Sequence, residues 1–505
     1  MNAPLSDADI RTCVQVLRAI EADRSLLTQM TREERRELLT LAGLVAKPER
    51  HDLVRMAKAF RRAEREAAKE RDRKVIERTG LRIQRQSAVY APLWLEPPKP
   101  EDRAGRPELQ QERTCYVCKQ PFVKMHRYYD SMCETCGDLN YAKRTQTADL
   151  NGHYALVTGA RVKIGFQASL KLLRAGAHVI VTTRFPIDAA DRYSREPDFA
   201  EFRARLQVHG LDLRHTPSVE LFTRFVLERV PRLDYILNNA CQTVRRPAGF
   251  FQHLLAREAG SLAQLPPALR ATLADHDELR HRIEGDLPQE AGALLANEVR
   301  GHAEGLIHSA ALSQRRYLDE DFRDGDTLFP SGHYDEDQQQ IDLRTVNSWR
   351  LRLHEVETPE LLEVHLVNAI APYILNARLK PLMVRTAGRH KHIVNVSAME
   401  GQFYRTTKTD KHPHTNMAKA ALNMMTRTSA PDYVKDGIHM NAVDTGWITD
   451  EDPAVHAARK AEEGFAPPLD IIDGAARIVD PIFAGTLSGN HLWGQFLKDY
   501  KPAPW

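Results

Sequence analysis

The chain has 505 residues, too many for one ordinary domain, so two or three folding units are expected. Its 42% hydrophobic and 28% charged content suits a globular protein, and no apolar run reaches the ~18–20 residues of a membrane span. A net charge of +3 excludes polyelectrolyte behaviour, six cysteines exclude a secreted disulfide scaffold, and the start MNAPLSDADIR lacks a secretory signal, so a cytoplasmic location is expected.

Residues 1–90 are predicted as a helical N-terminal region. Leu38, Leu39, Leu41, Ala42 and Leu44 follow TREERRE, and Leu53, Met56, Ala57 and Phe60 continue at helical spacing. Between Lys47 and Arg85 fourteen Lys/Arg face seven Asp/Glu. A solvated helix face accounts for that stripe more simply than an RNA or acidic-protein surface, and with no aromatic-basic motif a nucleic-acid partner is not expected. Residues 91–110, with the Pro-rich APLWLEPPKPEDRAGRP, are predicted as a linker.

Residues 111–146 carry two C-x-x-C pairs, Cys115/Cys118 and Cys133/Cys136, with fourteen residues between them. Two such turns complete a four-sulfur zinc site, which has no open coordination position and is therefore structural. Four reduced cysteines without metal would leave the spacing unexplained. A redox pair is disfavoured because neither pair is expected to open a helix after a strand. His126 adds at most a fifth ligand, short of the eight a cross-braced RING needs.

From Tyr154 onward, YALVTG, HVIVTTR, LDYILNNA, KHIVNVSA and IHMNAVDTG are β-rich runs separated by helix-length segments. That alternation predicts an α/β fold with a parallel sheet covered by helices on both faces. The rhythm breaks over 244–356, read as a mostly helical insertion with an acidic stretch, Asp319 to Asp342, of nine Asp/Glu and one Arg. The α/β domain is then 147–243 and 357–505.

VTGARVKIG follows the first of these strands and opens the helix FQASLKLLRAG, where glycines let backbone N–H groups approach a pyrophosphate. Thr158, Gly159 and Gly165 match the T-G-x-x-x-G-x-G spacing, with Lys163 in the middle glycine position. Arg184 ends the next strand nineteen residues after Gly165, Asp212 lies in GLDL, and Asn238 to Cys241 read NNAC. These motifs resemble those of the short-chain dehydrogenase/reductase family, over roughly 150–243 and 357–505.

The resemblance implies a Rossmann-type doubly wound sheet and an NADP(H) cofactor. Arginine at 184, where an acidic residue would select NAD, suits a 2′-phosphate, and Arg161 and Lys163 add positive charge. By the same resemblance Asp212 and Leu213 meet the adenine, and Ile164, Asn239, Lys419 and Ile448 complete the cofactor contacts. A sheet that binds no nucleotide is the plainer alternative. Cys241, in a glycine position of the family, reads as a small buried residue rather than a reactive thiol.

For catalysis the resemblance implies Asn368 in HLVNAIAPYIL and Lys419 in MAKAALNMM. The family's working serine is replaced by Ala398, leaving Ser397 as a substitute only if the loop shifts. Four positions before Lys419, where a tyrosine is expected, stands Thr415, an alcohol far less acidic than a phenol of pKa ~10. A literal Y-x-x-x-K, Tyr404 to Lys408, falls only seven residues after Ser397. His414, His412 or Tyr404 remain to supply a proton, although the two histidines could equally brace a turn at Pro413. The family's P-G becomes Thr445-Gly446.

Two functions follow. One is a divergent NADP(H)-dependent oxidoreductase lacking the usual Ser/Tyr pair, its insertion roofing the substrate side of the cleft with Asn347, Trp349 and Arg350 at a small-molecule pocket; Trp349 could equally only anchor the insertion. The other is a catalytically silent, NADP(H)-responsive scaffold that binds a protein partner through the zinc module, the basic helices or the insertion. The family's habit of pairing through the helices of Asn368 and Lys419 implies a homo-oligomer.

Overall fold

The structure is a computed structural model that describes residues 6–85, 108–285, 301–323, 325–335, 339–404 and 408–505. Most of the linker expected at 91–110 lies outside the described residues. Two compact units divide the chain, Met1–Asp72 and Arg73–Trp505.

The first unit contains α1 (Asp7–Ala22), α2 (Arg32–Ala46) and most of α3 (Arg50–Ile76). Ser6 with Asp9 and Thr31 with Glu34 form capping boxes that satisfy the free N–H groups starting α1 and α2. Neither helix buries a residue, and Leu44, Leu53 and Phe60 are exposed. These helices therefore stand on local propensity and capping rather than on a packed core.

The second unit is built on an eight-stranded sheet. Its strands are β3 (Tyr154–Thr158), β4 (His178–Thr183), β5 (Leu206–Gly210), β6 (Tyr235–Asn238), β7 (Lys391–Ser397), β8 (Ile438–Asp444), β9 (Phe496–Lys498) and β10 (Lys501–Ala503), with β1 (Glu108–Thr114) and β2 (Pro121–Lys124) pairing apart as a hairpin. The order β5-β4-β3-β6-β7-β8-β9 is parallel throughout, and β10 closes the edge antiparallel. The order reverses between β3 and β6, the crevice where open α/β sheets bind ligands. Alternate strand residues feed two cores. Val157, Leu237 and Val394 pack under α6 (Lys163–Arg174) and α7 (Pro186–Ser194), while Leu156, Ile236 and Ile393 pack under α8 (Thr216–Arg229) and α9 (Ala371–Val384). Strands buried on both faces read as near-continuous apolar runs, which is why they were visible in the sequence.

The cysteine segment is fused to this unit. Its helix α10 (Glu134–Thr145) lies on the start of α11 (Ile471–Ser488) through buried polar contacts. Arg144 Nη1 donates to Asp470 Oδ1 at 2.6 Å and lies 3.1 Å from Asp473 Oδ1, while Tyr128 and Tyr129 donate their hydroxyls to Asp470 and Asp473. Met125, Tyr129 and Leu81 share one apolar core with Ile448, Leu469 and Ile472. The second C-x-x-C does open a helix, with Cys133 as its N-cap, contrary to the sequence expectation.

The insertion touches both ends of the cleft. Leu269 and Leu273 join the core beside Phe202 and Leu206, Leu306 joins the opposite one, and Phe250, Phe251, Leu254 and Phe329 close around Phe185 at the end of β4. Within its acidic stretch, Asp321 holds Arg245, and Asp342 holds Arg246 and Arg344.

Candidate functional site

The nucleotide loop is shaped by space. Gly159 has φ +65°, and a Cβ there would stand 2.7 Å from Ala240 Cα; a Cβ on Gly165 would run into Asn239 Nδ2 and Gly159 O. Thr158 Oγ1 accepts from Ala240 N at 3.0 Å, and Asn239 Nδ2 donates to the carbonyls of Thr158 and Gly159 at 3.0 and 3.1 Å, tying the ends of β3 and β6 together. Lys163 has φ 55°, so it keeps the left-handed backbone of the glycine it replaces, at the first position of α6. Ile164 packs back on α11, where a Cβ at Gly474 would lie 2.9 Å from its Cγ1.

The three basic residues expected near the phosphates differ. Arg161 is buried and spent on Asp188, at 2.7 Å. The Arg184 carbonyl accepts from Ser309 Oγ, but its guanidinium makes no hydrogen bond or ion pair among the described residues and lies 4.6 Å from the Phe251 ring centroid and 5.6 Å from that of Phe185. Burial, helped by Arg214 and Arg161, pulls its pKa down to about 10 against the opposing pull of Asp212 and Glu363. Asp212 has given both carboxylate oxygens to Arg214, at 3.0 and 2.6 Å, and its backbone N–H to Gly305 O of the insertion. Leu213 is buried beside it in the core. The backbone N–H of Asp212 thus ties the end of β5 to the insertion.

At the other end, Asn368 lies in a π-helical turn, Leu366–Ile370, a rarity that recurs at functional sites. Its amide clasps Gln242 in both directions, Oδ1 accepting from Gln242 N at 2.8 Å and Nδ2 donating to Gln242 O at 3.0 Å. Lys419, on α12 (Pro413–Tyr433), donates its Nζ to Val396 O at 2.7 Å. Ser397 donates to Asn423 Oδ1 at 2.6 Å. Tyr404 is 80% exposed, away from all of these buried groups.

His414 and Thr415 are both buried at the start of α12. His414 Nε2 lies 3.5 Å from Glu360 Oε1, on the helix Thr358–His365, yet neither ring nitrogen, nor Glu360 Oε1, nor Thr415 Oγ1 completes a hydrogen bond. Burial pushes the Glu360 carboxyl up, but His414, Ser348 and Arg245 outweigh it and hold the pKa below its usual value. Buried unpartnered polar atoms are uncommon, and a cluster of them marks a place built for something other than packing.

His412 does brace a turn. Its φ is 41°, its N–H bonds Leu351 O at 2.7 Å, and its ring stacks on Trp349 with centroids 3.9 Å apart. Asn347 Nδ2 donates to Glu451 O and Arg350 pairs with Asp452, so the end of the insertion is fastened to the loop after β8. Trp349 anchors this closure. Within that loop Ile448 is buried with its carbonyl bonded to Arg85, and Trp447 N donates to Tyr116 Oη of the cysteine segment at 2.9 Å. Cys241 is exposed, not buried as expected.

Cys115, Cys118, Cys133 and Cys136 bring their sulfurs within 4.8 Å of one another, and Cys133 N points at Cys115 Sγ at 3.4 Å.

The family profile described as short chain dehydrogenase matches residues 153–258, and that described as enoyl-(acyl carrier protein) reductase matches 345–466. An uncharacterized protein of Acanthamoeba polyphaga mimivirus is 30% identical over 406 residues, 76% of this chain and 74% of that one. The chain belongs to the short-chain dehydrogenase/reductase family. Mouse retinol dehydrogenase 11 is 26% identical over 178 residues, 34% of this chain, which spans about half of that protein (51%). Among solved structures, the Pseudomonas aeruginosa RhlG/NADP active-site complex is similar at TM-score 0.42 and 17% identity, covering 69% of this chain and 95% of that one.

Sequence reading missed Glu360, Gln242, Asn423 and Arg214, each of which holds a residue that it singled out. Only Arg214 carried a local signal, two positions after Asp212 where a turn brings it back; the others are joined to their partners by the fold alone. Tyr116 was passed over because nothing in a C-x-x-C pair says which way its inner residues face. Among the described residues, no helix is long and apolar enough to cross a membrane.

Proposed function

We propose that this chain is an NADP(H)-dependent oxidoreductase acting on a small carbonyl or alcohol substrate, with the His414–Glu360 pair in place of the family's tyrosine and a structural zinc on its four cysteines. The observation that carries the cofactor reading is Arg184: a half-buried guanidinium at the end of β4 with no hydrogen-bonded carboxylate among the described residues and a lowered pKa, which a 2′-phosphate would relieve. The glycine cradle fits the cofactor, since a side chain at Gly159 or Gly165 would fill the approach to the N-terminus of α6. Bound there, the nicotinamide supplies or accepts the hydride. His414 passes the exchanging proton, with Glu360 Oε1 3.5 Å from its Nε2. Lys419, bonded to Val396 O, holds α12 against β7. Leu362, Tyr373, Met417 and Met424 are exposed on the helices around Asn368 and Lys419, which favours pairing with a second copy there.

The test is NADPH oxidation over a panel of aldehydes and ketones. Turnover that falls at least tenfold in His414→Gln with NADPH affinity kept, and survives Tyr404→Phe, supports the reading. A second reading, the silent cofactor-responsive scaffold, is favoured by Ser397 and Lys419 both being engaged inside the protein. NADPH binding without turnover on any carbonyl would select it.

A further inference from the structure

The ends of β7 and β8 opposite the nucleotide cleft carry a histidine cluster that neither hydride transfer nor the cysteine segment uses. His392 and His439 are the second residues of their strands and stand in register as neighbours, so both rings emerge on the same face, under α11. His491, in the connection from α11 to β9, folds back over them. His392 Nε2 and His491 Nδ1 are 2.9 Å apart, and the rings of His439 and His491 stack with centroids 4.7 Å apart. One nitrogen from each of the three rings lies within 4.8 Å of the others. Room for them is kept by Gly485 of α11, where a Cβ would run into His491 Nδ1 and stand 3.3 Å from His392 Cε1.

Outer contacts turn a bare nitrogen of His439 and of His491 inward, while His392 Nδ1 is buried without a partner. His439 Nδ1 bonds Lys391 O at 3.1 Å, which makes it the N–H and leaves Nε2 as the bare nitrogen. His491 Nε2 lies 2.9 Å from Nδ1 of the exposed His390, a contact that holds the His491 ring with Nδ1 turned to the cluster. Such partners on the far nitrogen fix the tautomer of metal-bound histidines.

We propose that His392 Nε2, His439 Nε2 and His491 Nδ1 bind a divalent transition ion of the zinc class, entering from the His390 side and clamping β7, β8 and the α11–β9 connection together. Three imidazoles with no thiolate or carboxylate suit zinc, copper(II), nickel or cobalt rather than magnesium or calcium. Metal–nitrogen bonds of ~2.0–2.1 Å in a tetrahedron set neighbouring nitrogens ~3.3 Å apart, so the 2.9 Å pair opens by a few tenths of an ångström as the proton between them moves to His392 Nδ1, and the wider spacings, within 4.8 Å, close. His392 lies five residues before Ser397, roughly 16 Å along the strand at 3.3 Å per residue, so the ion takes no part in hydride transfer.

The test is metal content of the full-length protein after equilibration with buffered zinc and gel filtration. Two equivalents per chain are expected, falling to one in His491→Ala and to one in Cys136→Ser. Cobalt in the wild-type chain gives a check free of substitutions: a first equivalent with sulfur-to-metal charge transfer and a second with ligand-field bands but none. One equivalent only in the wild type, a second equivalent that also shows sulfur bands, or two equivalents retained in His491→Ala would each overturn the proposal. None of these outcomes depends on NADPH binding.

Discussion

Arg144→Met tests whether the cysteine segment is structurally one with the eight-stranded sheet unit. Arg144 is 4% exposed and serves two carboxylates, Asp470 at 2% and Asp473 at 0%, while its guanidinium also covers the Tyr128 ring at 4.6 Å. Burial and the neighbouring Asp470 already raise Asp473 from its ordinary 3.8 to about 6, with Arg144 opposing them. A carboxyl with a raised folded pKa contributes most below its unfolded value and loses that contribution as pH climbs through the folded one. Without Arg144 the folded Asp473 would stay protonated even at pH 8. Two further pH units cost about 3 kcal/mol, and lost contacts keep the total within the ~3–5 kcal/mol range for a broken buried pair. At pH 5.5 wild-type Asp473 is itself mostly protonated, and only the contact loss of about 1–2 kcal/mol remains. Urea unfolding followed by tryptophan fluorescence at pH 8 and pH 5.5 reads both values. A deficit under about 1 kcal/mol at pH 8, or one that does not shrink at pH 5.5, would refute the reasoning.

Lys163→Gly should raise stability by about 0.5–1 kcal/mol, because a left-handed lysine costs more than the added freedom of glycine in the unfolded chain; a lower urea midpoint would contradict this. Glu258, from the insertion, accepts from the N–H groups of Ile187 and Asp188, and burial raises its carboxyl from 4.5 to about 7. The wild type should therefore lose stability relative to Glu258→Gln as pH rises from 5 to 8, by at most about 3 kcal/mol at 1.36 kcal/mol per unit; parallel pH profiles would remove the effect. Stripping zinc with a strong chelator should lower the melting temperature and restoring it should reverse the change. An unchanged melt would speak against metal on the four cysteines.

The sheet could be read because its strands are buried on both faces, and apolar runs of four to seven residues survive any change of partner. The glycine loop could be read for a related reason, since Gly159 and Gly165 are fixed by the space around them. Lys163 shows the limit: its backbone does what a glycine would do, but its identity does not announce it. The proton-transfer end was legible only as an absence. Thr415 and Ala398 say what is missing, while the Glu360 that faces His414 comes from a helix more than fifty residues earlier and has no motif. The docking of the cysteine segment was hidden similarly, because Arg144 and Asp473 meet across 329 residues of chain.

The central claim rests on Arg184, and isothermal titration of the full-length protein with NADPH and with NADH tests it most directly. The account expects NADPH to bind more tightly, by roughly 10–100-fold for about 1.5–3 kcal/mol of charge-assisted hydrogen bonding, and the preference to vanish in Arg184→Ala while NADH affinity holds. Equal affinities in the wild type, or a preference that survives Arg184→Ala, would contradict it.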